Sequence, residues 1–203
     1  MKGNNAQDTR TLILSIARKH FAEKGFYGAS IDSIVKEANL SKGALYWHFS
    51  GKLDLYRAVL KGEVERIRHI MVPDQPEKPE EREGLFIARG EQLIDAMMKD
   101  QLWRMFSVHM ALESIRGNTE IQDLNCLISL SFVEEFESIL MRMYPSLKDG
   151  AGGLSLKELI RIFENFIAGL VSNVGTTLSV DEAKRSWKFL VTRVLKGGAP
   201  YAP

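Results

Sequence analysis

Apolar residues in this 203-residue chain return every three or four positions along most of its length, with no convincing run of strict alternation. That spacing puts them on one face of a helix turning every 3.6 residues, whereas a half-buried strand needs a period of two. Leu12, Ile13, Ile16, Ala17 and Phe21 set the first stripe, and Gly25 supplies a stop. Ser30 then precedes Ile31, Ile34, Val35 and Ala38, a short helix with a serine N-cap. Asn39 falls where the chain must turn through left-handed backbone, which Asn tolerates better than most residues. Ser41 caps the next helix, and Leu40 and Leu45 staple its start. A longer helix follows over 52–70. The fold class is all-α.

The stretch "VPDQPEKPEE" breaks the pattern, because Pro73, Pro76 and Pro79 each remove a backbone donor in quick succession. It marks a boundary between regions. Beyond it the periodicity predicts five helices, over 80–99, 101–116, 120–144, 156–178 and 180–196, for a total of about nine. Ser155 with Glu158 and Ser179 with Glu182 have capping-box spacing, and Thr119 with Gln122 is a weaker third case. Gly117 and Gly197 stand where helices end.

A single cysteine, Cys126, excludes an internal disulfide framework and argues against a thiolate metal site. No cofactor or metal is expected. The chain opens without a basic-then-apolar leader and has no apolar run of membrane-spanning length, so a soluble cytoplasmic protein is expected. Its net charge of +1 hides an asymmetry: residues 1–70 carry 12 Lys and Arg against 7 Asp and Glu. A basic N-terminal third suggests a polyanion contact at that end. Uneven chance distribution accounts for the charge equally well on its own.

The segment "LSKGALYWHFSGKLDL" turns that suggestion into a surface. On a wheel of 100° per residue, Leu45 points inward with Ala44 and Phe49 beside it. Gly43 and Trp47 face away, and Lys42 and Tyr46 pair along one side. Exposing an indole to water gains nothing. Against DNA each group has a use: Lys42 and Lys52 neutralise phosphates, and Tyr46 and His48 hydrogen-bond phosphate oxygens or lie on sugars. Gly43 lets the helix approach the groove floor, and Trp47 presses an apolar edge on a thymine methyl or on the sugars. Ser30 and Ser41 stand at helix N-termini, where anions are favoured. Two short helices joined by a tight turn, the second bearing this face, make a helix-turn-helix.

"FAEKGFYGASIDSIVKEANLSKGALYWHFSGKLDL" closely resembles the DNA-binding segment of the tetracycline-repressor (TetR) family. The residues that carry the resemblance are Phe21, Gly25, Phe26, Ala29, Ser30, Ile31, Ile34, Ala38, Ser41, Gly43, Leu45, Tyr46, His48, Phe49 and Lys52. Asn39 stands where that family usually has Gly, and Gly51 where it often has a polar residue. The resemblance implies that Lys42, Gly43, Tyr46, Trp47 and His48 lie on a recognition helix, with Ser30 and Lys52 at phosphates. It further implies a helix-turn-helix domain over 1–52, a connecting helix over 53–72, and a ligand-binding and dimerisation domain over 80–203.

Within the last region, Leu156, Leu159, Ile160, Phe163, Ile167, Leu170, Val171 and Val174 line one helix, and Ala183, Trp187, Leu190, Val191 and Val194 the next. Faces this wide exceed what one neighbouring helix covers, and a two-fold four-helix packing between copies would bury them, as the resemblance also implies. The alternative is intramolecular core. The resemblance assigns a ligand cavity to the middle helices, where Trp103, Met105, Phe106, His109, Met110, Glu113, Phe132, Phe136, Phe166 and Asn173 gather. Met and aromatic residues at this spacing equally describe plain core. His109 and Glu113, four apart, are either a polar anchor or a surface ion pair.

The function expected is a homodimeric, sequence-specific regulator of transcription bound to two-fold double-stranded DNA, a repressor released by a small hydrophobic ligand. The alternative is a helix-turn-helix protein on the same scaffold controlled by a protein partner, architectural or division-linked, with no small-molecule inducer. An enzyme finds little support, since no nucleophile triad, metal spacing or phosphate loop is present.

Overall fold

The computed structural model describes residues 3–72, 78, 80–116, 119–151 and 153–195. They form nine α-helices: α1 (Gly3–Gly28), α2 (Ile31–Glu37), α3 (Lys42–His48), α4 (Lys52–Met71), α5 (Arg82–Lys99), α6 (Gln101–Ile115), α7 (Thr119–Met143), α8 (Leu156–Asn173) and α9 (Val180–Leu195). A single 3₁₀ turn, Pro145–Leu147, follows α7. No strand occurs among the described residues, in keeping with the all-α expectation. Pro73, Pro76, Pro79, Gly117 and Gly197 lie outside the described residues.

Two compact units result, each drawn from two stretches of chain: residues 1–65 with 101–126, and residues 66–100 with 127–203. In the first, α6 packs along α1, so the head is completed by residues far away in sequence. Ile13, Ala17, Phe21, Ile34, Leu45 and Leu55 form its core. Tyr56 stands edge-on to Phe21 at 5.1 Å and Phe26 at 5.2 Å between ring centroids, and lies 5.6 Å from Phe106. Burial pushes the Tyr56 phenol above its ordinary range, and the Glu113 carboxylate adds to the effect. Gly25 breaks α1 with φ +67, and a Cβ there would lie 2.7 Å from Glu113 Oε1 and 2.9 Å from His109 Nδ1. The stop expected at Gly25 is therefore a kink, after which the helix takes one more turn to Gly28.

In the second unit, α5 packs along α9. Trp187 is fully buried and donates from Nε1 to the Ile87 carbonyl at 3.0 Å. Gly90 permits this approach: a Cβ there would fall 1.9 Å from the indole. Phe86, Phe163 and Trp187 stand 5.5–5.9 Å apart as one aromatic cluster, which Phe136 and Phe166 extend. Lys184 pairs with Asp95 at 2.7 Å and closes the rim.

Both capping boxes form: Ser155 and Ser179 accept from the backbone N–H of Glu158 and Glu182, whose carboxylates accept in return. α7 already includes Thr119, so Thr119 is not its N-cap, and the Gln122 amide donates to the Ser114 carbonyl. The helix predicted over 156–178 ends five residues early, at Asn173. Gly175 adopts φ +83, and the N–H groups of Thr176, Thr177 and Leu178 all turn back to the Asn173 carbonyl. Apolar spacing continued through this turn, but the backbone did not.

Candidate nucleic-acid interface

Three local devices set the position of α3. Asn39 takes φ +53, and the Leu40 N–H reaches the Val35 carbonyl at 2.9 Å, closing α2 with a left-handed cap. Ser41 then opens α3, its Oγ accepting from Ala44 N–H at 3.1 Å. Leu45 is 0% exposed, and its burial stabilises the head by about 2 kcal/mol. That anchor fixes the helix's rotation.

The opposite side faces solvent. Trp47 is 72% exposed and Tyr46 52%, with Lys42 beside them. His48 is half-buried and stands perpendicular to Trp47, 4.5 Å between ring centroids, so it braces the indole. A Cβ on Gly43 would meet only Ser41 Oγ at 3.7 Å, so nothing inside the protein requires a glycine there. Lys42 reaches Asp32 of α2 at 2.6 Å, and this hydrogen bond and charge raise its pKa. Both partners are exposed, so the pair is weak and easily exchanged.

Lys52 is differently placed from its neighbours. Its ammonium donates to the Ala29 carbonyl at 3.0 Å and lies 4.4 Å over the Phe26 ring. Partial burial lowers its pKa, opposed by the Glu113 carboxylate. Ser30 is exposed at the start of α2, where its Oγ accepts from Ser33 N–H at 3.2 Å. Arg10 stacks over Phe49 at 5.3 Å. Sequence reasoning did not single out Asp32, the exposed Tyr27 or the buried His20 in this head. The polar His20 on an otherwise apolar face was the one available signal.

The arrangement is a helix-turn-helix with a basic, aromatic outer face. The family model described as "Bacterial regulatory proteins, tetR family" matches residues 13–59, the span from α1 into α4. Residues 13–59 are thus similar to the tetR-family DNA-binding segment. Among similar proteins, the HTH-type transcriptional regulator SrpR of Pseudomonas putida is 26% identical over 170 residues, which are 82% of this chain and 75% of SrpR. UidR of Escherichia coli K12 is 46% identical over 61 residues, 30% of this chain and 31% of UidR, so less than a third of that relative is spanned. IcaR of Staphylococcus aureus Newman, a negative regulator of the biofilm operon icaADBC, is 27% identical over 126 residues, 61% of this chain and 67% of IcaR. Among solved structures, Salmonella enterica GusR superposes with a TM-score of 0.71 at 21% identity, covering 93% of this chain and 96% of GusR. A putative TetR-family regulator from Rhodococcus reaches 0.74 at 16% identity, covering 93% and 99%. At such identities the likeness is one of fold.

The other expected sites are scattered by comparison. On α6, Trp103, Phe106 and Glu113 are buried, and His109 and Met110 are half-buried. Phe136 and Phe166 belong to the aromatic cluster of the second unit, and Asn173 is exposed, its amide donating to the Gly169 carbonyl. The side chains of Phe132 and Val171 lie outside those described. The residues expected on the dimer face divide by burial within the protomer. Phe163, Leu170, Val174, Trp187 and Val191 are buried inside the protomer, and Ile167, Leu190 and Val194 are half-buried. The wide faces of α8 and α9 are covered largely within the chain, α5 supplying part of the cover. Among the described large apolar residues of α8 and α9, Ile162 and Phe189 are exposed, the latter at 65%.

Proposed function

We propose that two copies of this regulator occupy a two-fold operator in double-stranded DNA, each laying α3 in a major groove. The outward face of α3 carries this reading: a fully buried Leu45 pins the helix while Lys42, Gly43, Tyr46 and Trp47 point to solvent. Lys42, Tyr46, His48, Ser30 and Ser41 serve the phosphates, and Trp47 serves a base edge or sugar. Lys52 acts near the backbone while holding the start of α4 against Ala29. The two heads read half-sites about 34–36 Å apart, or a multiple of that.

The regulation proposed is repression released by a small hydrophobic ligand. The naming of IcaR as a negative regulator supports the first half. For the second, α6 offers His109 Nδ1 and Glu113 Oε2, both buried without a hydrogen-bond partner, on the same helix as apolar Trp103 and Phe106. An apolar lining with unsatisfied polar atoms suits a ligand that brings its own donor. Such a ligand shifts the operator equilibrium only by its difference in affinity for the two states.

The test is a binding titration on duplexes selected by the wild-type protein from genomic fragments. Trp47→Ala is expected to change the ranking of the duplexes, whereas an equal loss on all of them sinks the base contact. Lys42→Ala is expected to weaken every duplex and reduce the salt slope by about one. A hydrophobic fluorescent probe displaced by candidate ligands tests the effector. If no such probe binds, control by a protein partner takes its place.

A further inference from the structure

Behind α2 lies a chain of hydrogen bonds that ends at the DNA face. His20 is buried on α1, and its Nε2 stands 2.8 Å from Glu37 Oε2. Its other nitrogen, Nδ1, stands 3.3 Å from Ser33 Oγ. Ser33 Oγ in turn lies 2.8 Å from Ser30 Oγ and 2.9 Å from the Ser30 carbonyl. The network thus runs from a buried imidazole to an exposed hydroxyl.

We propose that His20 is a positioning residue for DNA binding: when protonated, it turns the Ser33–Ser30 hydroxyl pair so that Ser30 donates outward to a phosphate. This rests on the reading that Ser30 meets a phosphate. The argument is one of counting hydrogens. Glu37 pairs with Lys19 at 2.9 Å, and Lys19 first and His20 second hold its carboxyl below the ordinary range. A carboxylate only accepts, so Nε2 carries a hydrogen in either state of the ring. The variable hydrogen is the one on Nδ1.

In neutral His20, Nδ1 is a buried acceptor and requires a donor, which Ser33 O–H provides. Ser30 O–H then donates to Ser33 Oγ, and Ser30 shows the outside only lone pairs, which a phosphate oxygen repels. In protonated His20, Nδ1–H donates to Ser33 Oγ. Ser33 O–H then donates to Ser30 Oγ, whose lone pairs are filled by it and by Ser33 N–H, and the Ser30 hydrogen turns to solvent or phosphate. Throughout, Ser30 Oγ keeps accepting from Ser33 N–H, so the cap of α2 survives both states. Other titratable groups of this head lie on the neighbouring helices. On α6, His109 and Glu113 pack on Gly25, and on α3, Lys42 pairs with Asp32. Glu23, near Lys19, is the remaining carboxylate acting on the network.

The experiment measures the affinity of the full-length protein for a selected duplex at pH 8 and pH 6, the interval in which imidazoles exchange a proton. Ser30→Ala serves as the reference, because any pH dependence it keeps belongs to other groups. The wild type is expected to tighten roughly tenfold more than Ser30→Ala between the two pH values, the worth of one hydrogen bond to a charged group. His20→Gln, which retains a donor toward Glu37, and Ser33→Ala, which leaves His20 in place, are both expected to match the reference. Ser33→Ala decides the matter if His20→Gln does not fold. A Ser30→Ala protein that binds as tightly as wild type at both pH values overturns the phosphate contact itself. If Ser30→Ala binds more weakly yet keeps the wild-type pH dependence, the role of His20 is overturned and the phosphate contact stands.

Discussion

Gly43 shows how a residue can be wrong for its own helix and right for its surface. Glycine in a helix costs up to about 1 kcal/mol relative to alanine, because it gives up more backbone freedom. No packing explains it here, since a Cβ would meet nothing closer than 3.7 Å. Gly43→Ala is therefore expected to leave stability equal or up to about 1 kcal/mol higher, while weakening operator binding. Denaturant unfolding and a DNA titration on the same preparation give the two signs. A protein that is steadier and binds as well would remove the reason for close approach at this position. Gly90 has the opposite character, because there the indole of Trp187 occupies the space that a side chain needs.

Helices α2, α3, α8 and α9 begin where a serine hydroxyl satisfies an orphan backbone N–H. Glu158 illustrates the electrostatics: the Ser155 hydroxyl first, and its backbone N–H second, hold the carboxyl below its ordinary value near 4.5. A group whose folded pKa is depressed contributes stability that is complete above the unfolded value and fades as pH falls through the folded one. Glu182 is held down in the same way by Ser179. Stability is thus expected to decline as pH drops below about 4.5, and Glu158→Ala is expected to flatten that decline. Thermal unfolding at pH 7, 5, 4 and 3 checks this, and an unchanged slope in the variant would show that the carboxylate does not matter to α8.

At the scale of the whole molecule, the proposed pairing of copies can be tested on the second unit. Phe189 is 65% exposed on α9, and Arg193 stacks over it at 5.4 Å. Aromatic residues are enriched where protein surfaces meet, which makes Phe189 the residue of α9 to test. Phe189→Asp is expected to shift sedimentation toward the monomer and weaken DNA binding, because one head contacts only one half-site. Trp187→Ala instead removes a buried indole, and its expected effect is a loss of about 3–5 kcal/mol of stability. A Phe189→Asp protein that remains dimeric at micromolar concentration places the contact elsewhere. Among the described residues no helix is long and apolar enough to cross a membrane.

Sequence alone determined what is local. The helix period, the serine caps, the left-handed Asn39 and the rotation of α3 about Leu45 each depend on residues within a few positions of one another, so their physics is written along the chain. The tertiary structure decided what covers what. Periodicity identifies a face but not its cover, so the faces of α8 and α9 suited a partner copy or intramolecular core equally, and only the structure shows how much of them the chain itself buries. The same reason hid His20, whose partners Ser33 and Glu37 lie 13 and 17 residues away, and the kink at Gly25, which packs against residues of α6.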